Sequence, residues 1–132
     1  MATINSFEDL EVWKKARVLA KDIYVLITNG SLATDYRLRD QMNGSSGSIM
    51  DNIAEGFERD GKAEFITFLG YAKGSAGELR SQLCRSLDRK HITQEQFDDL
   101  YSRTLEVGKM TKGFMDYLRK TEFKGTKFKD RV

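Results

Sequence analysis

Val12, Ala16, Leu19, Ile23 and Leu26 repeat at alternating steps of four and three, widened on one flank by Trp13, Ala20, Tyr24 and Ile27. That period predicts an amphipathic helix with a broad core-facing stripe. Its start is expected at Ser6, a capping residue followed by Glu8 and Asp9, and its stop near Asn29-Gly30. Val18 and Val25 fall on the opposite, otherwise polar face with Lys14, Arg17 and Lys21, and suggest a second contact surface. Leu38, Met42, Ile49 and Ile53 mark a second helix, from Thr34 or Asp35 to about Gly56, but Asn43 to Ser48 (NGSSGS) interrupts it with a composition typical of turns. Local pattern alone leaves two readings there, a loop between two short helices or one continuous helix.

A third helix from about Lys62 to Lys90 carries Phe65, Leu69, Ala72, Ala76, Leu79, Leu83 and Leu87 at heptad-like spacing. A fourth begins at Thr93, which pairs with Gln96 as a capping box, and runs through Phe97, Leu100, Tyr101, Leu105, Val107, Phe114 and Leu118. Four long helices joined by short connections predict an all-α, antiparallel up-and-down four-helix bundle over residues 6–119. The chain of 132 residues contains no proline, in keeping with uninterrupted helices. It is long enough for a single core and no more.

The third helix has a second pattern. Gly70, Gly74, Gly77 and Ser81 follow at steps of four, three and four, so they share one side of the helix and leave it nearly bare backbone. Each glycine within a helix costs about 1 kcal/mol relative to alanine. The stripe therefore predicts a close contact, either with a helix of the same bundle or with another subunit. Asn52 and Glu55 on the second helix and Glu78 on the third are expected to hydrogen-bond helix termini, neighbouring helices or a second subunit.

The net charge is only +2, but residues 119–132 hold six basic against two acidic side chains, a local balance of +4. Residues 120–132 are expected to be a basic, disordered tail, in which Phe123 and Phe128 could stack on bases. Lys14, Arg17 and Lys21 on the first helix, with Lys73 and Arg80 beside the glycine stripe, are the candidate nucleic-acid contacts. A modest basic patch gains force when an oligomer repeats it, because fields and counterion release add.

Catalytic chemistry finds little support. Cys84 is the only cysteine and His91 the only histidine, which excludes an internal disulfide, a thiolate cluster and paired Glu-x-x-His metal motifs. Cys84 is expected to be small and partly buried, His91 an exposed loop residue. Asp51, Glu55 and Glu78 alone make a poor carboxylate metal site, Gly70 to Gly77 lacks the Lys-Ser/Thr ending of a phosphate loop, and Ser48, Ser75 and Cys84 lack a general base. No cofactor, metal or small-molecule substrate is expected. The longest apolar run, Ile23 to Ile27, is far too short to cross a bilayer and Met1 to Ser6 shows no signal-peptide pattern, so a soluble cytoplasmic protein is expected.

Phe7 to Ala16 (FEDLEVWKKA), Ser48 to Gly56 (SIMDNIAEG) with Arg59, and Lys73 to Leu79 (KGSAGEL) occur in an order and spacing that resembles one family. It is the bacterial four-helix-bundle proteins encoded in intervening sequences of 23S rRNA genes, with which the accessory variability determinant of diversity-generating retroelements is grouped. The resemblance spans roughly Phe7 to Leu118. It implies a bundle that assembles into a homo-oligomeric ring, typically a pentamer, and contacts RNA, a ribonucleoprotein or a reverse-transcriptase-type protein partner through basic surface. It also favours a continuous second helix across NGSSGS. Asn43 and Gly44 replace the basic pair that the family carries there, and Met50 stands in place of proline, so a nucleic-acid contact is not carried onto the second helix. The competing expectation is a protein-interaction scaffold with no nucleic-acid role.

Overall fold

A computed structural model describes residues 4–121. Four helices, α1 (Glu11–Ile27), α2 (Tyr36–Glu58), α3 (Lys62–Asp88) and α4 (Gln94–Lys120), follow in order, with two short 3-10 turns and no strand among the described residues. All but the first two residues of the expected basic tail lie outside the described residues.

The antiparallel arrangement is visible in the pairs that bridge neighbours. Ser48 and Gln41 of α2 meet Ser75 and Arg85 of α3. Arg80 of α3 reaches Tyr101 of α4, and Lys15 and Asp22 of α1 meet Glu106 and Arg103 of α4. Each helix thus packs on its chain neighbours, and α4 returns to α1 to close the bundle. The core runs along the predicted seams: Ala16, Leu19, Ile23 and Ile27 from α1, Leu38, Met42, Ile49 and Ile53 from α2, Leu69, Ala72, Leu79 and Leu83 from α3.

The ends of α1 differ from the expectation in one respect. Phe7–Asp9 forms a separate 3-10 turn, and the helix proper starts only after an extended Leu10. The carboxylate of Asp9 accepts hydrogen bonds from the amides of Asn5 and Ser6, so local side-chain bonding holds this turn apart from the helix. At the other end, Thr28 and Asn29 donate side-chain hydrogen bonds to the carbonyls of Tyr24 and Val25, and Gly30 turns the chain at φ +63°.

Helix α2 is continuous through NGSSGS. Met42, Ser45, Ser46 and Ile49 are buried, whereas the sites of Gly44 and Gly47 open outward with no heavy atom within 4 Å of an added Cβ. Burial of the flanking apolar residues against α3 therefore carries the helix across a stretch whose own propensity opposes it. Helices α2 and α3 approach tightly at their shared turn. A Cβ on Gly56 would stand 2.7 Å from Cβ of Phe68 and 3.0 Å from Cδ1 of Phe65, so only glycine fits there. Phe57, Phe65 and Phe114 continue this contact as edge-to-face rings into α4.

The connection from α3 to α4 is a Schellman-type ending. The amide of His91 donates to the carbonyl of Ser86 and that of Lys90 to Leu87, with Lys90 in the left-handed region at φ +62°. The Thr93–Gln96 capping box then opens α4, both of its hydrogen bonds being made.

Candidate nucleic-acid interface

Two interhelical grooves carry most of the cations singled out from the sequence, and they differ in charge. Between α3 and α4, Ala76, Gly77, Gly108 and the half-buried Leu105 line a hollow of about 130 Å³, together with Lys73, Arg80, Lys109 and Lys112. The helical period explains this. Positions 73, 76, 77 and 80 of α3 share one face, and so do 105, 108, 109 and 112 of α4.

Of the four cations, Lys112 pairs with Asp116 at 2.8 Å. That hydrogen bond, helped by Arg119, holds the Asp116 carboxyl below the usual carboxylate value. Arg80 lies over the Tyr101 ring, 5.7 Å from its centroid, with Nη1 3.4 Å from the phenol oxygen. Lys73 and Lys109 have no carboxylate partner among the described residues. The groove therefore holds an excess of positive charge beside a lining of three small residues and one leucine.

The groove between α1 and α4 holds Lys14, Lys15, Val18, Arg103, Glu106 and Val107 and is internally compensated. Lys15 faces Glu106 at 3.7 Å and Lys14 faces Glu11 at 3.9 Å. Arg103 bridges Asp22 at 2.7 Å and Asp99 at 3.2 Å. Burial works against the Arg103 charge, but its hydrogen bonds to Asp22 and Asp99 outweigh burial and hold the guanidinium more firmly protonated. Arg17 stacks on Trp13 at 5.6 Å, and Lys21 is exposed on the same helix. The structure thus separates the candidates into two sets. Lys73 and Arg80 line one groove, Lys14 lines the other, and α4 lies between.

Lys109, Lys112 and Gly108 were not singled out from the sequence. Their signal was present: Gly108-Lys109 and Lys112-Gly113 on α4 echo Lys73-Gly74 and Gly77 on α3, small residues beside lysines at helical spacing. What the sequence could not supply was that the two patterns face each other.

The candidate contact residues also separate. Val18 and Val25 are exposed at 51% and 55%, both on the α1 side that borders α4. Gly70 faces Met115 of α4 at an ordinary 3.6 Å, Gly77 borders the basic groove, and the Gly74 site is open with nothing within 4 Å. Among the described residues α4 reaches the stripe only at Gly70, in ordinary contact, whereas the tight approach within the bundle is at Gly56. Asn52 donates to Ser48, whose hydroxyl also accepts from Ser75, which makes it part of the α2–α3 seam. Glu55 pairs with Arg59 at 2.6 Å beside the α2–α3 turn, and Glu78 is exposed.

Two single residues depart from expectation. Cys84 is exposed, because its position on α3 points away from the seam of Leu79 and Leu83. His91 is largely covered, its side chain only 14% accessible: Nε2 lies 2.9 Å from Asp35 Oδ2 and Nδ1 lies 2.7 Å from Ser31 Oγ. Arg89 adds a second contact to Asp35 at 2.9 Å, so the α3–α4 turn is tied to the start of α2. Hydrogen bonds from His91 and Arg89 hold the Asp35 carboxyl below its ordinary value, against desolvation.

Among the described residues no group of three His, Cys, Asp or Glu side chains could hold a metal ion, and no helix is long and apolar enough to cross a membrane. Fold and site together define a small antiparallel helical bundle with a basic interhelical groove. The 23S rRNA-intervening sequence protein family model matches residues 8–113, and the chain belongs to that family. A crystal structure of a protein of unknown function from the S23 ribosomal protein family of Bacteroides thetaiotaomicron VPI-5482 is similar, with TM-score 0.73 and 25% identity. The match covers 79% of this chain and 97% of that one. No curated protein matches the chain.

Proposed function

We propose that the protein is a non-enzymatic, homo-oligomeric helical bundle that binds RNA or a ribonucleoprotein partner through repeated basic surface. The observation that carries this reading is the α3–α4 groove, in which Lys73, Arg80, Lys109 and Lys112 gather beside Ala76, Gly77, Gly108 and Leu105. Lys73 and Lys109, without carboxylate partners among the described residues, suit a phosphate chain, whose binding is driven by counterion release. A ring, the pentamer implied by the family resemblance, presents the groove once per subunit and sums its field.

The test is the affinity of the full chain for structured RNA across a range of salt concentrations. Replacing Lys73 and Lys109 by Gln is expected to flatten the log–log salt slope by roughly 1.4 to 1.8, the contribution of two phosphate contacts. The same change at Lys14 and Lys21 is expected to do less, because Lys14 sits beside Glu11 in a charge-compensated groove. No binding at low salt sinks the proposal. Assembly is tested separately by light scattering, where a mass near the 15.1 kDa of one subunit contradicts a ring. Gly74→Leu is a clean probe for it, because none of the described residues occupies that site.

The exposed Val18 and Val25 favour a second reading, an interaction scaffold whose partner is protein alone, including a reverse-transcriptase-type protein. It predicts that Val18→Asp with Val25→Asp abolishes assembly while neutralising the α3–α4 lysines changes nothing.

A further inference from the structure

We propose that the α3–α4 groove takes a single RNA strand rather than a duplex, with one unstacked base held on the Arg80–Tyr101 pair. The proposal rests on the RNA-binding reading and specifies which form of RNA the groove accepts.

Three observations carry it. The first is length. Lys73 and Arg80 are seven residues apart on α3, about 10 Å at 1.5 Å per residue, so a stretch of only one or two nucleotides of an extended strand spans both cations. The second is size. The hollow of about 130 Å³ lies between two helices in direct contact, where Gly108 would place a Cβ only 3.8 Å from Ala76. Such a trough can seat one backbone, whereas a duplex would rest on the lysine tips and leave the floor unused.

The third observation is the aromatic end of the trough. The guanidinium of Arg80 sits over Tyr101, and the Phe97 and Tyr101 ring centroids are 5.1 Å apart with the rings tilted by 31°. A planar cation backed by an aromatic ring, both partly exposed, is a stacking surface for a base that has left its pair. Paired bases present their edges and not their faces, so a duplex cannot use it. Lysines that follow a backbone and end at a stacking platform are the general arrangement for single strands.

The experiment compares a short labelled oligouridylate with a labelled RNA duplex of the same length, by fluorescence anisotropy at matched ionic strength with the full chain. The single strand is expected to bind about tenfold more tightly, the magnitude of one stacked base. Arg80→Lys keeps the charge and removes the plane. It is expected to weaken single-strand binding several-fold while leaving the salt slope and the helical circular dichroism unchanged. Duplex binding as tight as that of the single strand overturns the strand preference and leaves RNA binding standing. Unchanged single-strand affinity in Arg80→Lys likewise overturns the stacking assignment. Failure of both probes to bind at low salt overturns this proposal together with the RNA reading.

Discussion

Gly56→Ala isolates the steric demand at the α2–α3 turn. A methyl group there would stand 2.7 Å from Cβ of Phe68, an atom fixed to the backbone of α3, and 3.0 Å from the Phe65 ring. Phe65 can swing slightly, but Cβ of Phe68 moves only with its helix, so α2 and α3 must separate by several tenths of an ångström. Overpacking of that kind costs about 1–3 kcal/mol. Alanine returns about 1 kcal/mol of helix propensity. Gly74→Ala gains the same propensity at a site with no neighbour within 4 Å, so the difference between the two variants is the steric contribution alone. Gly74→Ala should be stabilised by up to about 1 kcal/mol, and Gly56→Ala should lie about 1–3 kcal/mol below it. Urea unfolding followed by helical circular dichroism measures this, at one protein concentration because any assembly shifts the midpoint. Equal stability of the two variants would refute the close approach at Gly56.

Two further outcomes follow from local geometry. Lys90→Gly relieves a left-handed residue at φ +62° and should stabilise the protein by about 0.5–1 kcal/mol after the added chain entropy of glycine, measured in the same assay. The Asp35 carboxyl is held below its ordinary value of 3.8 by His91 and Arg89, so its contribution is complete above that value and is lost as the pH falls through the folded-state value. Asp35→Asn should therefore be less stable near neutrality and show a shallower loss of stability on acidification below about pH 4, read from unfolding midpoints across pH. An unaltered acid limb would show that the His91–Asp35–Arg89 cluster does not couple to folding.

The apolar periods of α1, α3 and α4 and the Thr93–Gln96 cap were legible because they depend on residues within one or two turns of each other. That is also why the bundle architecture could be named in advance. The start of α1 was misplaced for a related reason: Ser6 has the chemistry of a cap, but the Asp9 carboxylate uses the nearby amides to build a separate turn. Family resemblance, and not local pattern, favoured a continuous helix across NGSSGS. Its physical cause is long-range, since the burial of Met42 and Ile49 in the core outweighs fewer than two turns of small and polar residues.

By itself the sequence determined the helices, their seams and the presence of lysines beside small residues. Tertiary structure decided which of those features meet. It set Lys73 and Arg80 against Lys109 and Lys112 and placed Lys14 across α4 from them. It also moved the close glycine contact from the stripe to Gly56 and covered His91 with Asp35 and Ser31. Periodicity tells which side of a helix a residue occupies, but contact between helices depends on rotation and register, and those are set by the packing of the whole core.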